Sequence, residues 1–269
     1  MLSNVFGMLE RKLADIGFGD SSYLSEDVMA KIIENGFQNW ADERELAPHG
    51  EFLIKELQMQ SGDHILDLAC GDGRYSFLLC ERGFAVTGVD CTEALISYLR
   101  AKNSTAGLGA IFVKSDMSEI GFAGEFDHAI ILGNSLGLVS EESATKALMR
   151  VCSALKPVGR MFLEMENKIH FIRTEAYSKE WQIYNGRYLI LSEVYYEDIQ
   201  GLEKMRDICV DRETGEVSEF KFVKRQYSFE EICEKLGKTG FRINKAFGDW
   251  NGNNLTHLSP KILIAAEKM

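Results

Sequence analysis

The stretch from His64 to Asp90, HILDLACGDGRYSFLLCERGFAVTGVD, constrains the fold more than any other part of the chain. Its pattern predicts a short apolar strand, a turn containing Gly71 and Gly73, an apolar helix and a second strand that ends at a carboxylate. This order is half of a βαβ unit. The stretch therefore favours an α/β fold built on parallel strands.

The glycine turn is typical of a nucleoside site. Glycine has no Cβ, so the backbone of the turn can approach a ligand closely. The helix that follows presents free N–H groups and the positive end of its dipole. Asp90 stands 19 residues after Gly71, where a carboxylate can accept hydrogen bonds from both hydroxyls of a ribose.

The spacing of these residues is compatible with a dinucleotide and with a nucleoside cofactor that carries a cationic group. Asp67 favours the second. Gly71, Gly73 and Ser76 form only a degenerate dinucleotide fingerprint, because the last position is normally Gly or Ala. Asp67 places a carboxylate inside an apolar strand end, and a buried anion is costly unless a partner compensates it. A pyrophosphate would be repelled there, whereas a cationic ligand would be held.

The segment DLACGDG, from Asp67 to Gly73, resembles the first motif of class I S-adenosylmethionine-dependent methyltransferases. Ala69 replaces the first glycine of many members. Further matches run in order to Arg160, where Leu155 to Arg160 resembles a turn usually written with two glycines, and resume near Tyr227. The resemblance implies S-adenosylmethionine as the cofactor, bound by residues that match the family motifs: Asp67, Ala69, Gly71, Gly73, Asp90, Cys91, Asp116, Met117 and Leu132.

The expected fold is an α/β, doubly wound, seven-stranded mixed sheet of the Rossmann-like methyltransferase type, parallel except for the last strand. Residues 1–57 are predicted to form an N-terminal helical lid, and residues 58–170 the cofactor-binding core. Residues 171–227 are rich in β-branched and aromatic residues and predict a small antiparallel β insertion over the acceptor site. Residues 228–269 are predicted to supply the last helix and a closing β-hairpin.

The composition of the chain limits the classes of partner that it is expected to bind. The net charge of −11 argues against a non-sequence-specific nucleic-acid binder, and small or cationic substrates fit better. The six cysteines include no CxxC pair, so neither a disulfide framework nor a metal site is expected. We expect a cytoplasmic monomer or homodimer with no membrane or nucleic-acid partner, since no apolar run approaches membrane-spanning length.

The acceptor site is expected at the loop 133–137, because ligands of open α/β sheets bind at the carboxyl ends of the strands. Nucleobase amino-methyltransferases carry two prolines and an aromatic ring at this point, and Asn134-Ser135-Leu136 lacks them. A small-molecule acceptor is therefore favoured, with these candidate contacts: Trp40, Asn134, Glu166, Tyr177, Trp181 and Tyr184. Phe37 and Arg44 are additional candidates in the lid.

Each acceptor candidate has a structural alternative. Aromatic residues at helical spacing are more often core residues, and Asn134 can simply cap its own turn. The β insertion can equally be a structural or dimer-forming sheet. No Ser/His/Asp or His/Glu constellation stands out, so no catalytic residue is assigned.

The predicted activity is transfer of a methyl group from S-adenosylmethionine to a small molecule by in-line displacement. Such a reaction needs little beyond holding the nucleophile close and aligned. Two alternatives stay open from the residues alone: an NAD(P)-dependent oxidoreductase, and a catalytically silent S-adenosylmethionine-binding module.

Overall fold

The computed structural model describes residues 43–269. Phe37 and Trp40, two of the predicted lid contacts, lie outside the described residues, and of Arg44 only the backbone is described. The first described element is helix α1, Glu43–Leu57, which precedes the first strand.

Eleven strands lie within the described residues, seven in a main sheet and four in a separate antiparallel sheet. The main sheet contains β1 (His64–Leu68), β2 (Ala85–Asp90), β3 (Ile111–Lys114), β4 (Phe126–Ile131), β5 (Leu155–Glu166), β10 (Phe241–Phe247) and β11 (Lys261–Lys268). The second sheet contains β6 (Lys179–Tyr184), β7 (Tyr188–Glu197), β8 (Leu202–Asp211) and β9 (Val217–Arg225). The helices that follow α1 are α2 (Arg74–Glu81), α3 (Glu93–Ala106), α4 (Glu141–Ala154), α5 (Lys168–Thr174) and α6 (Phe229–Lys238).

The strand order of the main sheet is β10-β11-β5-β4-β1-β2-β3. Only β11 runs against its neighbours, and it pairs antiparallel with both β10 and β5. The predicted seven-stranded mixed sheet and the separate antiparallel sheet are both confirmed. This order places β1, β2 and β4 side by side, so their carboxyl ends meet at one edge.

The second half of strand β4, from Ala129 to Ile131, is continuously apolar because it is covered on both faces. Ile130 packs into the cluster that contains Leu53 and Leu57 of α1, whereas Ala129 and Ile131 pack into the cluster on the opposite face. Successive side chains of a strand point to opposite faces, so a strand covered by helices on both sides needs no polar positions.

The four-stranded sheet lies against helix α3. Tyr188, Cys209, Phe220 and Phe222 form an apolar cluster with Leu95. The sequence gives no signal for β6 itself, because all but its last residue are exposed and carry no burial pattern. Helix α5 was also missed, since its seven residues are too few to show a helical period.

Local capping chemistry sets two helix starts. Ser228 and Glu231 form a capping box at the start of α6, with both reciprocal hydrogen bonds present. Helix α4 begins at Glu141, because Ser140 accepts a hydrogen bond from the Ser143 amide and caps the first turn.

The described residues contain no helix that is both long and apolar enough to cross a membrane. All six cysteines are free thiols.

The start of β5 contains a strained residue. The pairing of β4 with β5 shifts register between Phe126 and His128, and Val158 within the shifted segment has a left-handed φ of 56°. A β-branched residue is disfavoured there. This is the segment in which related sequences usually carry two glycines.

We expect Val158→Gly to raise the free energy of unfolding by about 1 kcal/mol, since relief of left-handed strain outweighs the entropy that glycine gains in the unfolded chain. Val217→Gly, in regular strand β9, provides the control and should lower stability by a similar amount. Urea denaturation of both variants measures the difference, and a destabilised Val158→Gly variant would contradict the prediction.

Candidate active site

A cavity of about 800 Å³ lies at the carboxyl edge of the main sheet. It crosses the sheet from the segment after β3 to the start of β11, because Asp116 and Lys261 both line it. Eight of the nine predicted cofactor residues line this cavity: Asp67, Ala69, Gly71, Asp90, Cys91, Asp116, Met117 and Leu132. The ninth, Gly73, does not.

The turn between β1 and α2 contains three left-handed residues. Ala69, Gly71 and Gly73 have φ values of 59°, 54° and 72°. Ala69 therefore adopts the conformation of the glycine that it replaces, at a cost of order 1 kcal/mol or more. Gly73 has a packing role instead, since a Cβ there would come within 2.5 Å of the Leu99 side chain.

Asp90 is held rigidly at the end of β2. Its carboxylate accepts hydrogen bonds from the Gly71 amide at 3.0 Å, the Thr92 amide at 3.1 Å and the Thr92 hydroxyl at 3.0 Å. The side chain is only 8% exposed yet lines the cavity. A fixed carboxylate with remaining lone pairs is what a ribose diol requires.

Asp67 is a buried carboxyl whose pKa lies near neutral pH. It is 3% exposed and accepts a hydrogen bond from the Ser76 hydroxyl at 2.6 Å. Burial raises the pKa of Asp67 to about 7, although Ser76 opposes the shift. A cationic group beside it would favour the ionised form. The side chain therefore fits the α-ammonium group of an amino-acid moiety.

The remaining predicted cofactor residues form a mainly apolar wall. Asp116 accepts hydrogen bonds from the amide and hydroxyl of Ser118, at 2.8 and 2.7 Å, which fixes the loop after β3. Met117 and Leu132 are buried and line the same cavity. A planar base could lie between them, so the residues present fit S-adenosylmethionine along its whole length.

A second group of cavity residues was not predicted as acceptor contacts. His49 comes from α1, Tyr75 from α2, Glu164 from β5, Trp250 from the loop before β11, and Lys261 from β11 itself. Glu164 is 7% exposed and accepts a hydrogen bond from the Gly133 amide at 2.9 Å. The Lys261 ammonium lies 3.5 Å from its other oxygen. Only Glu164, at the exit of a predicted strand, gave any signal in the sequence.

The structure pairs Asn134 and Glu166 with each other and leaves both outside the cavity lining. The Asn134 amide nitrogen donates to Glu166 at 3.0 Å. Glu166 also accepts from Gln226 at 2.7 Å and from Lys224 at 3.2 Å, and both donors also contact the buried Glu203. This network joins the loop after β4 to strand β9, so these side chains are occupied by structural contacts.

The three aromatic candidates of the insertion also lie outside the cavity. Tyr184 packs with the cluster against α3, and Tyr177 donates to the Tyr196 carbonyl at 3.1 Å. Trp181 is 69% exposed and lines a separate hollow of about 240 Å³. Trp181 and Tyr184 are three residues apart on one strand, so they point to opposite faces of the sheet.

No cluster of three or more potential metal ligands occurs between residues 43 and 269.

Comparison with known proteins agrees with this geometry. Residues 65–159 match the family model of a methyltransferase domain. YqeM of Bacillus subtilis (strain 168), a methyltransferase by name, is 26% identical over 251 residues, which are 88% of this chain and 98% of that protein. Residues 65–159 therefore form a methyltransferase domain, and most of the chain is similar to proteins named as methyltransferases. These matches favour methyl transfer over the oxidoreductase alternative.

Two further comparisons give another relative and a solved structure with the same fold. The glycine/sarcosine N-methyltransferase of Aphanothece halophytica is 27% identical over 238 residues, which are 86% of each chain. The crystal structure of an S-adenosylmethionine-dependent methyltransferase from Clostridium acetobutylicum ATCC 824 shares the fold, with a TM-score of 0.77 at 18% identity over 90% of this chain and 98% of that one. This methyltransferase uses S-adenosylmethionine as its cofactor.

We expect Asp90→Ala to weaken binding of S-adenosylhomocysteine by about 1–3 kcal/mol, the cost of leaving ribose hydroxyls without a charged partner. Isothermal titration calorimetry measures the change. Asp72→Ala is the control, because Asp72 lies on the same turn but pairs with Arg74 and does not line the cavity. Equal dissociation constants for wild type and Asp90→Ala would show that Asp90 only fixes the turn.

Asp67→Asn should stabilise the free protein while weakening cofactor binding. The unfolded carboxyl titrates near 3.9 and the folded one near 7, so the folded state keeps a proton that the unfolded state has lost. The wild type therefore loses stability as the pH rises from about 4 to about 7. Asparagine does not ionise, so the variant does not lose stability in this way as the pH rises.

Thermal unfolding at several pH values checks the direction in which stability changes with pH. The melting temperature of Asp67→Asn minus that of wild type should increase between pH 5 and pH 8. Asp127→Asn is the control, and its difference from wild type should stay constant between pH 5 and pH 8, because this carboxyl is ionised in both the folded and the unfolded state over that range. Burial opposes ionisation there too, but the His64 amide and the Lys156 ammonium outweigh it and hold the pKa of Asp127 below its usual value. A constant difference for Asp67→Asn would contradict the prediction.

Proposed function

We propose that this methyltransferase acts on the nitrogen of a small amine. The observation that carries the proposal is the Glu164 carboxylate, which is buried at the end of β5 and lines the cavity beside Gly133. A carboxylate in this place can accept a hydrogen bond from an N–H of a neutral amine and stabilises the positive charge that the nitrogen gains when it is methylated. The proposal is finer than transfer to a small molecule, because it names the accepting atom.

The cofactor, when bound, supplies a methyl group on a positively charged sulfur. We assign Asp90 to the ribose hydroxyls, Asp67 to the α-ammonium group, and the wall formed by Asp116, Met117 and Leu132 to the adenine. The described residues then have two tasks, which are to align the nucleophile and to exclude water. Alignment within the cavity supplies much of the rate acceleration in such a displacement.

An amine suits the acceptor half of the cavity better than a hydroxyl does. A hydroxyl acceptor would need a general base that removes its proton during the transfer. A neutral amine attacks with its own lone pair and loses its proton afterwards. The relative from Aphanothece halophytica, whose name gives glycine and sarcosine as acceptors and nitrogen as the methylated atom, supports the same assignment.

We also propose the location, the oligomeric state and the domain division of the enzyme, each from a separate observation. The free state of all six cysteines and the net charge of −11 support a cytoplasmic enzyme, monomeric or homodimeric, without a nucleic-acid partner. We also propose the division into an N-terminal lid (1–57), a core (58–170), an insertion (171–227) and a closing segment (228–269). Its support is the separate sheet that β6 to β9 form between α5 and α6.

A methyl-transfer screen tests the proposed function. Production of S-adenosylhomocysteine is measured with matched panels of amines, phenols and carboxylates, and we expect turnover of amines. Glu164→Gln should raise the KM of the amine by about tenfold or more, since a charge-assisted hydrogen bond is lost, with little change in cofactor affinity.

Glu56→Gln is the matched control for this variant. Glu56 is also a buried carboxylate with a lysine partner, Lys245 at 2.7 Å, but it does not line the cavity. Its variant should keep the KM of the wild type. Turnover of phenols or carboxylates with none of amines would reject the proposed function.

A further inference from the structure

Three aromatic rings from distant parts of the chain form one wall of the cavity. The His49 ring stacks on Trp250 with 4.2 Å between ring centroids and an interplanar angle of 19°. The Tyr75 ring lies nearly parallel to both, with centroids 6.4 Å from His49 and 6.3 Å from Trp250. All three residues line the cavity. We call this group the aromatic wall.

A hydrogen bond fixes the one hydroxyl of the aromatic wall. His49 Nδ1 and the Tyr75 hydroxyl are 3.0 Å apart. If the phenol donates, its oxygen keeps two lone pairs, and if the imidazole donates, the oxygen keeps one. In either case the Tyr75 oxygen can accept a further hydrogen bond from a ligand.

The surroundings keep Tyr75 in its neutral form. Burial raises the pKa of the phenol, and the neighbouring Glu164 and Asp67 carboxylates raise it further against the opposing effect of Arg74. Tyr75 is therefore a neutral polar group between two carboxylates. It can recognise an N–H group without adding a third negative charge.

The aromatic wall also lies on the side of the sheet away from the predicted adenosine site. Trp250 packs on Phe162 of β5 with centroids 5.5 Å apart, whereas Asp90 ends β2 and Asp116 follows β3. Three strand spacings separate β2 from β5, or roughly 14 Å at about 4.8 Å each. The half of the cavity that Tyr75 shares with Glu164 and Lys261 is therefore available to the methyl acceptor.

The loop that carries Trp250 is internally braced. Asp249 accepts hydrogen bonds from the amides of Asn251 at 2.9 Å and Asn253 at 3.2 Å. Phe52 of α1 packs edge-on against Trp250 with centroids 5.8 Å apart. Trp250, whose ring lies beside that of Tyr75, is thus held by contacts that do not depend on a ligand.

We propose that the Tyr75 oxygen accepts a hydrogen bond from an N–H of the acceptor amine, with His49 and Trp250 as positioning residues, so that the site selects amines that carry an N–H. Primary and secondary amines meet this requirement, and tertiary amines do not. The inference rests on the proposed function and deepens it, since it states which amines are taken.

Tyr75→Phe tests the inference because it removes only the hydroxyl. With a primary or secondary amine that the wild type methylates, kcat/KM should fall about tenfold, and the affinity for S-adenosylhomocysteine should stay the same. A tertiary amine of the same skeleton should be a poor substrate of the wild type. His49→Ala should reproduce the loss, whereas His49→Asn, which can still bond the phenol, should restore part of the activity.

Tyr227→Phe is the matched control for a general loss of stability. Tyr227 is a buried tyrosine whose hydroxyl donates to Glu141 at 2.9 Å, and it does not line the cavity. An equal fall of kcat/KM in both variants would overturn the inference, as would weaker binding of S-adenosylhomocysteine by Tyr75→Phe.

Efficient turnover of the tertiary amine would also overturn the selection proposed here while leaving amine methylation intact. If the wild type methylates no amine, both this inference and the proposed function fail. The wild-type screen therefore separates the two failures.

Discussion

The hydrogen bond from the Gly71 amide to the Asp90 carboxylate is the contact on which the active site depends. It joins the turn after β1 to the end of β2, two strands that pair in parallel along their whole length. The sheet fixes where both strands end, and this bond fixes the turn between them. The cavity floor, the start of α2 and the position of Tyr75 all follow from that one constraint.

Most of the residues that the sequence predicts for the cofactor line the cavity, because Asp67, Ala69, Gly71 and Asp90 lie in one continuous βαβ stretch. Neighbouring parallel strands bring Asp67 and Asp90 to the same edge of the sheet. The one misplaced residue is Gly73, which is needed for the close approach of Leu99 and does not line the cavity. Its packing role depends on α3, a later element that no motif specifies.

The acceptor half could not be read from the sequence for a different physical reason. His49 and Trp250 are about 200 positions apart, and only the complete fold stacks their rings. Glu166 is a predicted contact, but Lys224 of β9 and Gln226, which follows β9, occupy its carboxylate. Strand alternation and long-range pairing decide these cases, and neither is visible in local composition.

The β insertion is joined closely to the catalytic edge. A Cβ on Gly137 would lie 2.6 Å from the Arg225 carbonyl oxygen, so only glycine allows the loop after β4 to lie this close to β9. The Asn134–Glu166–Lys224 contacts reinforce the same junction. The insertion therefore supports the loop that borders the cavity, and none of the residues of its four strands lines that cavity.

The placement of carboxylates along the cavity has a consequence for the energy of the reaction. Under the proposed function, each transfer moves one positive charge from the sulfur of the cofactor to the nitrogen of the acceptor. Asp67 lies towards the first location and Glu164 lines the second, and both are nearly buried. The positive charge therefore leaves the surroundings of one carboxylate and arrives near another. A negatively charged side chain lies near the positive charge both before and after the transfer.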